Sequence, residues 1–297
     1  MADKPLQNNR SIVTRCAPSP TGYLHLGHAY SAWQNFERAR DAGGRFHLRI
    51  EDIDAARCRP EFEAAIYEDL AWLGLSWDAT VLRQSARLAF YEARLNDLRE
   101  RGLVYRCFRS RQDIANAMSA PHGMPDGVFR GAALTALEER ARLAEGRPYA
   151  WRLSLAAAEA ALGPAFAGLT FLEETADGLA DRPAEAWRYG DIVLGRKDSG
   201  TSYHLASVLD DAATGVTHVI RGEDLREAAG LHVLLHALFG LRPPIYQHHG
   251  MLLDEEGRRL SKRNGAATLR AMREAGLTAR DVRARLKASF PRHNELG

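Results

Sequence analysis

Two short stretches of this chain hold the residues best suited to chemistry. The first runs Ala17-Pro18-Ser19-Pro20-Thr21-Gly22-Tyr23-Leu24-His25-Leu26-Gly27-His28, and the second, far downstream, runs Arg259-Leu260-Ser261-Lys262-Arg263. A strand-like apolar pair (Ile12, Val13) precedes the first and a helical pattern (Tyr30, Trp33, Phe36) follows it, so its glycines and histidines sit where a strand hands over to a helix. In α/β folds that junction binds phosphates, because the free N–H groups of a helix start point at the ligand. Gly22 and Gly27 let backbone approach a nucleotide with no Cβ in the way. His25 and His28 can donate hydrogen bonds to phosphate oxygens as charge develops on them. Lys262, on a glycine-flanked loop, can bring a point charge to the same phosphates. The plainer alternative is a pair of satisfied histidines at a helix start and one more exposed lysine. Taken together, the two stretches imply ATP-dependent activation of a carboxylate.

The first stretch resembles the HIGH signature of class I aminoacyl-tRNA synthetases, with His25-Leu26-Gly27-His28 in its place, and the second resembles the KMSKS loop. Within that class, Arg15-Cys16-Ala17-Pro18-Ser19-Pro20-Thr21-Gly22 and Arg49-Ile50-Glu51-Asp52-Ile53-Asp54 resemble the glutamyl and glutaminyl branch. Val219-Ile220-Arg221-Gly222-Glu223-Asp224-Leu225 lies between them and the lysine loop, in the family's order. The resemblance runs from about Ser11 to about Leu286. It implies an α/β fold: a Rossmann-like nucleotide-binding domain with an inserted α+β domain and a short helical C-terminal extension. It further implies ATP as substrate, bound through Pro18, His25, Gly27, His28, Ser261 and Lys262, with catalysis by His25, His28 and Lys262. Magnesium is expected on the ATP phosphates, held mostly by ATP and water.

The implied amino acid, L-glutamate, carries two carboxylates and one ammonium, so its site needs cationic forks for the acids and an anion for the amine. Arg15, before the Ala-Pro-Ser-Pro turn, and Arg221, at a strand end, can each grip a carboxylate in bidentate fashion. Glu51 can accept from the ammonium, and the Tyr203 hydroxyl can donate alongside. In the related family these four positions, with the Ala17 and Ser19 turn, contact glutamate. Arg221 has a competing use, an ion pair with Glu223 or Asp224. His232 and His236, one helical turn apart, could ligate zinc, but without the Glu of a metalloprotease motif they read as ordinary helix residues.

At 297 residues and 45% hydrophobic content the chain can bury one large core or two moderate ones. No apolar run approaches membrane-spanning length and the first residues lack a signal-peptide core, so a cytoplasmic protein is expected. Cys16, Cys58 and Cys107 are odd in number and far apart, which argues against a disulfide framework. With 40 basic against 38 acidic residues, a net +2, there is no global positive field, and any RNA contact must be local. Arginines gather near Arg106, Arg109 and Arg111 and again from Arg270 to Arg292. Either cluster could follow a phosphate backbone or form a solvated helix face.

These motifs need elements to hold them. The periodicity predicts strands over Ile12 to Cys16 and Phe46 to Ile50, and helices over Pro60 to Leu73 and Arg87 to Arg101, as the first half of the nucleotide fold (1–104). Residues 105–187 read as an inserted acceptor-type domain, rich in Gly, Pro and Ala, with helical pieces at Leu134 to Leu143 and Leu155 to Ala161. The second half (188–242) carries a helix from Tyr203 to Asp211, a strand from Val216 to Arg221 and a helix from Leu225 to Phe239. The remainder, 243–297, holds a β segment from Ile245 to Leu253, the lysine loop and a helix from Ala279 to Ser289.

After the lysine loop a full glutamyl-tRNA synthetase carries an anticodon-reading region of well over a hundred residues, whereas Asn264 to Gly297 are too few for one. This layout resembles the glutamyl-Q tRNA(Asp) synthetases, paralogues that place glutamate on the queuosine base of tRNA(Asp). The resemblance implies queuosine-bearing tRNA(Asp) as partner; a monomer is expected, though the sequence itself does not show the oligomeric state. The related inserted domain often binds zinc through a Cys-x-Cys pair, a Tyr and a further Cys. Here Cys107-Phe108-Arg109 keeps one cysteine, and Phe129-Arg130-Gly131-Ala132-Ala133 has Phe and Ala where Tyr and Cys would stand. Even with His122 as a substitute, two ligands fall short of four, so no metal site is expected and Cys107 should pack as a small hydrophobe. Three rivals remain: a minimal glutamyl-tRNA synthetase charging a 3′ end, a small-molecule nucleotidyltransferase, and a non-catalytic RNA-binding paralogue.

Overall fold

The computed structural model describes residues 11–118, 128–251 and 267–289. Its first half runs β1 (Val13–Cys16), α1 (Leu26–Asp41), β2 (Arg45–Ile50), α2 (Pro60–Trp72), β3 (Leu82–Arg83) and α3 (Leu88–Glu100). Strands β1, β2 and β3 are parallel, in register Val13↔Arg45 to Cys16↔Leu48 and Arg49↔Leu82. Strand β2 is covered on both faces, with Phe46, Leu48, Arg49 and Ile50 all buried. Its sequence alternates polar and apolar residues, so the burial of Arg49 reflects water lost on both sides of a parallel strand rather than an apolar run.

The middle of the chain supplies β4 (Val104–Cys107), α4 (Arg111–Met118), α5 (Ala136–Ala144), β5 (Ala150–Leu153), α6 (Leu155–Leu162), the hairpin of β6 (Thr170–Thr175) and β7 (Gly178–Pro183), and β8 (Val193–Gly195). Strands β4, β5 and β8 form an antiparallel sheet fastened by Asp191. The buried Asp191 carboxylate accepts from Tyr105 Oη at 2.7 Å, from the Gly131 N–H at 2.7 Å and from the Leu155 N–H at 2.8 Å. Cys107 is buried on β4, and His122 lies outside the described residues. Among the described residues no group of three or more His, Cys, Asp or Glu is arranged to hold a metal ion.

The chain then returns with α7 (Tyr203–Ala213), β9 (His218–Gly222), α8 (Ala228–Leu238) and β10 (Ile245–His249), and ends in α9 (Leu269–Glu274) and α10 (Ala279–Ser289). Strand β10 pairs in parallel with β9 and also with β6, so the hairpin extends this second sheet in the order β7-β6-β10-β9. The expected helix from Leu225 starts later, at Ala228, after a 3-10 turn over Glu223–Leu225. The β segment stops at His249.

Strands β1 and β9 lie side by side. Thr217 N–H donates to Val13 O at 2.9 Å, and the Asn35 amide of α1 donates to Ile220 O at 2.9 Å. The order is therefore β3-β2-β1 on one side and β9-β10 on the other, and the winding reverses between β1 and β9. In doubly wound sheets, ligands bind beyond the carboxyl ends of the strands at that reversal. One core cluster, including Leu98, Leu153, Leu194, Leu205 and Leu234, joins the middle sheet to α3, α7 and α8. A second seats Leu269, Met272, Val282 and Leu286 of α9 and α10 against Trp33 of α1 and Ile66 and Leu70 of α2. The C-terminal helices thus brace the helix that follows the histidine motif. Among the described residues no helix is long and apolar enough to cross a membrane.

Candidate active site

The carboxyl ends of β1, β2, β9 and β10 and the first turns of α1 and α7 surround a cavity of about 390 Å³. Eight of the residues singled out from the sequence line it: Arg15, Ala17, His25, Gly27, His28, Glu51, Tyr203 and Arg221. Pro18 and Ser19 are not in its lining. Pro18 is buried and its carbonyl accepts from Glu51 N–H at 3.0 Å, which fixes the loop carrying Glu51, while Ser19 is exposed. Ser261 and Lys262 lie outside the described residues.

His25 caps α1. Its Nδ1 accepts from Gly27 N–H at 3.1 Å, and its own N–H donates to Nδ1 of His28 at 3.2 Å. A ring nitrogen that accepts from a backbone N–H carries no proton, so each neutral ring bears its hydrogen on Nε2. Two Nε2–H donors therefore join a helix start with no acidic residue in its first turn, a favourable place for phosphate. Glycine at 27 leaves room for the ring: a Cβ there would fall 3.0 Å from His25 Cε1, tight enough that the imidazole would have to give way. The segment is also tied to the residues that follow the lysine loop. Leu269 N–H donates to Leu24 O at 2.8 Å, and His25 and Thr268 form a β-bridge.

The two arginines differ sharply in their partners. Arg15 faces Asp211 of α7, with Nε 3.2 Å from Oδ1 and Nη2 3.4 Å from Oδ2. Arg49 shares that carboxylate, Nη1 to Oδ1 at 2.5 Å, and reaches Glu51 Oε1 at 3.0 Å and Ser207 Oγ at 3.2 Å. Burial alone would raise the Asp211 pKa, but the Arg15 and Arg49 guanidiniums outweigh it and hold it at about 2. Burial pushes the Glu51 carboxyl up, against Arg49 and Arg15, which pull it down. Burial also lifts the Cys16 thiol to about 12, so this lining residue stays an uncharged thiol and is no nucleophile.

Arg221 forms no ion pair with Glu223 or Asp224 among the described residues. Its Nε lies 3.4 Å from His248 Nε2 and its Nη1 3.5 Å from His232 Nδ1. Its guanidinium stands 5.1 Å from the Tyr246 ring centre. Its Nη2 is buried with no hydrogen-bond partner among the described residues. A cationic donor left open in this way, in the wall of a cavity, is what an anionic ligand would complete.

The profile of the tRNA synthetases class I (E and Q) catalytic domain matches residues 11–281, nearly the whole described chain. The protein belongs to that family. This synthetase is therefore a ligase of the aminoacyl-tRNA synthetase type. It is 48% identical over 284 residues to the glutamyl-Q tRNA(Asp) synthetase of Rhodobacter capsulatus, covering 92% of this chain and 98% of the relative. It is 42% identical to glutamate–tRNA ligase 2 of a Methylobacterium species, covering 89% of this chain and 57% of that one. Among solved structures it resembles a glutamate tRNA ligase from Elizabethkingia meningosepticum in complex with its amino acid, at a TM-score of 0.69 and 28% identity. That match covers 86% of this chain and 53% of the other.

Sequence reasoning left out Asp211 and His248, and gave His232 no part in the site. Their signal was present. Asp210 and Asp211 stand side by side in a helix with a buried Leu, Val and Ala face, and paired carboxylates there must find polar partners. His248 lies on β10 and is the register partner of Arg221 on the parallel β9.

Proposed function

We propose that this enzyme activates L-glutamate with magnesium-bound ATP and transfers the glutamyl group to the queuosine base in the anticodon loop of tRNA(Asp). The observation that carries the amino acid reading is Arg221, whose buried Nη2 has no hydrogen-bond partner among the described residues and whose side chain lines a cavity together with Glu51, Tyr203, His25 and His28. A substrate carboxylate on Arg221 and an ammonium near Glu51 would leave the other carboxylate free to reach ATP. Support for the queuosine acceptor is the relative of that name matched over 98% of its length.

In the first step a glutamate carboxylate oxygen attacks the α-phosphorus, forming a mixed anhydride as the bond to pyrophosphate breaks. No general base is needed, because the nucleophile is already ionised. The chain's task is positioning and stabilising charge as it builds on the phosphates, assigned to His25 and His28, with Lys262 as the further cation. In the second step a hydroxyl of the modified base attacks the activated carbonyl, giving an ester and releasing AMP.

The test is transfer of labelled glutamate to tRNA(Asp) with and without queuosine, each ending in 2′,3′-dideoxyadenosine so that the 3′ end cannot be charged, beside intact tRNA(Glu). Labelling of the queuosine-bearing, blocked tRNA alone is the expected result. Charging of tRNA(Glu) alone would show instead a minimal glutamyl-tRNA synthetase. Glutamate-dependent pyrophosphate exchange separates either enzyme from a binding module.

A further inference from the structure

We propose that His232 and His248 are positioning residues that aim Arg221 at the substrate carboxylate without cancelling its charge. This deepens the amino acid reading above and rests on it.

The geometry fixes which nitrogens carry protons. A guanidinium only donates, so the ring nitrogens that face Arg221, Nδ1 of His232 and Nε2 of His248, must present lone pairs. The hydrogens then sit on the opposite nitrogens, and each finds an acceptor. His248 Nδ1–H donates to Oε1 of the buried Glu173 at 2.7 Å, and His232 Nε2–H donates to His204 Nδ1 at 3.1 Å. Glu173 is itself fixed by Arg226, Nε to Oε1 at 2.9 Å, and by Arg182, Nε to Oε2 at 3.1 Å. Both imidazoles are thus locked in the tautomer that accepts from Arg221, through partners on α7 and β6. The contacts to Arg221 are long, 3.4 and 3.5 Å, which suits orienting rather than binding.

The contrast with Arg15 shows what neutral partners achieve. Arg15 is opposed by the Asp211 carboxylate, which would compete with any anionic ligand. Arg221 is opposed by two uncharged rings and the face of Tyr246, so its charge is not spent before substrate arrives. The groups facing His232 are Arg221 on β9, Tyr203 and His204 on α7, Arg15 on β1 and His236 on its own helix. No carboxylate is among them, and nothing there favours its protonation. Burial first, and then the nearby Arg221 charge, hold His232 well below the ordinary imidazole range; burial likewise keeps His248 at about 4 despite Glu173. Zinc ligation by His232 and His236 does not compete, because both His232 nitrogens are engaged and His236 Nδ1 bonds to His232 O within the helix at 2.7 Å.

Two experiments on the full chain test this. The first measures glutamate KM, ATP KM and kcat in pyrophosphate exchange, with tRNA present, for the wild type, His232→Leu and His232→Gln. His232→Leu should raise glutamate KM about tenfold with ATP KM little changed, while His232→Gln, which keeps an acceptor, should stay within about threefold. An unchanged glutamate KM in a folded His232→Leu protein overturns the proposal, as does a loss in kcat alone that His232→Gln does not rescue. The second needs no activity: nitrogen-15 NMR of histidine-labelled protein, assigned with His232→Gln and His248→Asn. His232 should be the Nε2–H tautomer and His248 the Nδ1–H tautomer, and the opposite tautomer at either ring overturns the proposal. Absence of glutamate-dependent exchange in the wild type would defeat the functional reading, whereas a wrong tautomer would defeat this one alone.

Discussion

Asp211 binds Arg15 and Arg49 at once, with its Oδ1 3.2 Å from Arg15 Nε and 2.5 Å from Arg49 Nη1. All three side chains are buried, and the pair of guanidiniums ties β1 and β2 to α7 beneath the cavity floor. Replacing Asp211 by Asn removes the carboxylate that bonds both cations, leaving Arg49 paired with Glu51 and Arg15 with no ion pair among the described residues. Breaking one member of a buried ion cluster typically costs about 3 to 5 kcal/mol, because the remaining charge stays buried without a partner. Asp211→Asn is therefore expected to lower the urea midpoint substantially, and equilibrium unfolding near pH 7.5 checks it. A change below about 1 kcal/mol would mean that the cluster does not brace the sheet.

Arg221 should behave in the opposite way. It pairs with no carboxylate among the described residues, so Arg221→Ala should leave most of the stability intact while raising glutamate KM by about thirtyfold or more, a loss of roughly 2 kcal/mol of charge-assisted binding. Arg221→Lys should not restore it, since an ammonium cannot reproduce the planar fork held between His232 and His248. Steady-state pyrophosphate exchange, paired with thermal unfolding, reads both effects.

His25 combines a structural and a proposed catalytic role, and the two separate by size. Loss of its cap on α1 costs about 1 kcal/mol of stability. Loss of a donor that acts as charge develops on the phosphates costs about 3 kcal/mol of barrier, roughly a hundredfold in rate. His25→Asn, which can still cap the helix, should keep the stability and lose the rate. Gly27→Ala should slow the enzyme through the same ring, since the new Cβ would crowd His25 Cε1 at 3.0 Å.

The motifs that carry backbone chemistry were legible in the sequence, because a strand–turn–helix junction with Gly27 and paired histidines constrains its own geometry. The reversal of winding between β1 and β9 was not legible, because no local pattern says which strands lie side by side. What escaped were the partners across the cavity. Asp211 meets Arg15 from 196 positions away and His248 meets Arg221 from another strand, and no local pattern encodes such meetings. Strands β6 and β7 were also missed, although Asp177-Gly178 between Thr175 and Leu179 is a hairpin turn signal. Alternation in β6 buries Phe171 and Glu173 on one face, so a charged residue stood where an apolar one would have marked the strand.

Buried imidazoles set the acid side of the stability profile. His204 and His248 lie at about 4, lowered first by burial, and burial likewise holds His232 well below the ordinary value of 6.5. Between pH 6.5 and about 4 the unfolded chain takes up protons that the folded chain refuses, so stability must fall as pH drops through that window. Urea midpoints measured from pH 7.5 down to 4.5 should decline, and His204→Gln should flatten the decline.

Asp69 gives the reverse sign. It lies inside α2, fully buried, and burial raises its carboxyl to about 6 from 3.8, although Arg273 of α9, 3.7 Å away, acts to lower it. Between those values the folded chain holds a proton that the unfolded chain has released, so this group's contribution is complete below pH 3.8 and is lost as pH rises through about 6. At pH 8 the native protein carries a buried carboxylate whose oxygens accept no hydrogen bond among the described residues. Asp69→Asn removes that charge and should stabilise the protein by about 2 kcal/mol at pH 8 while changing little at pH 4. The difference between the two urea midpoints is the measurement. If the variant were instead destabilised at pH 8, the Arg273 contact would outweigh burial, and Asp69 would serve as an ionic latch between α2 and the helix that follows the lysine loop.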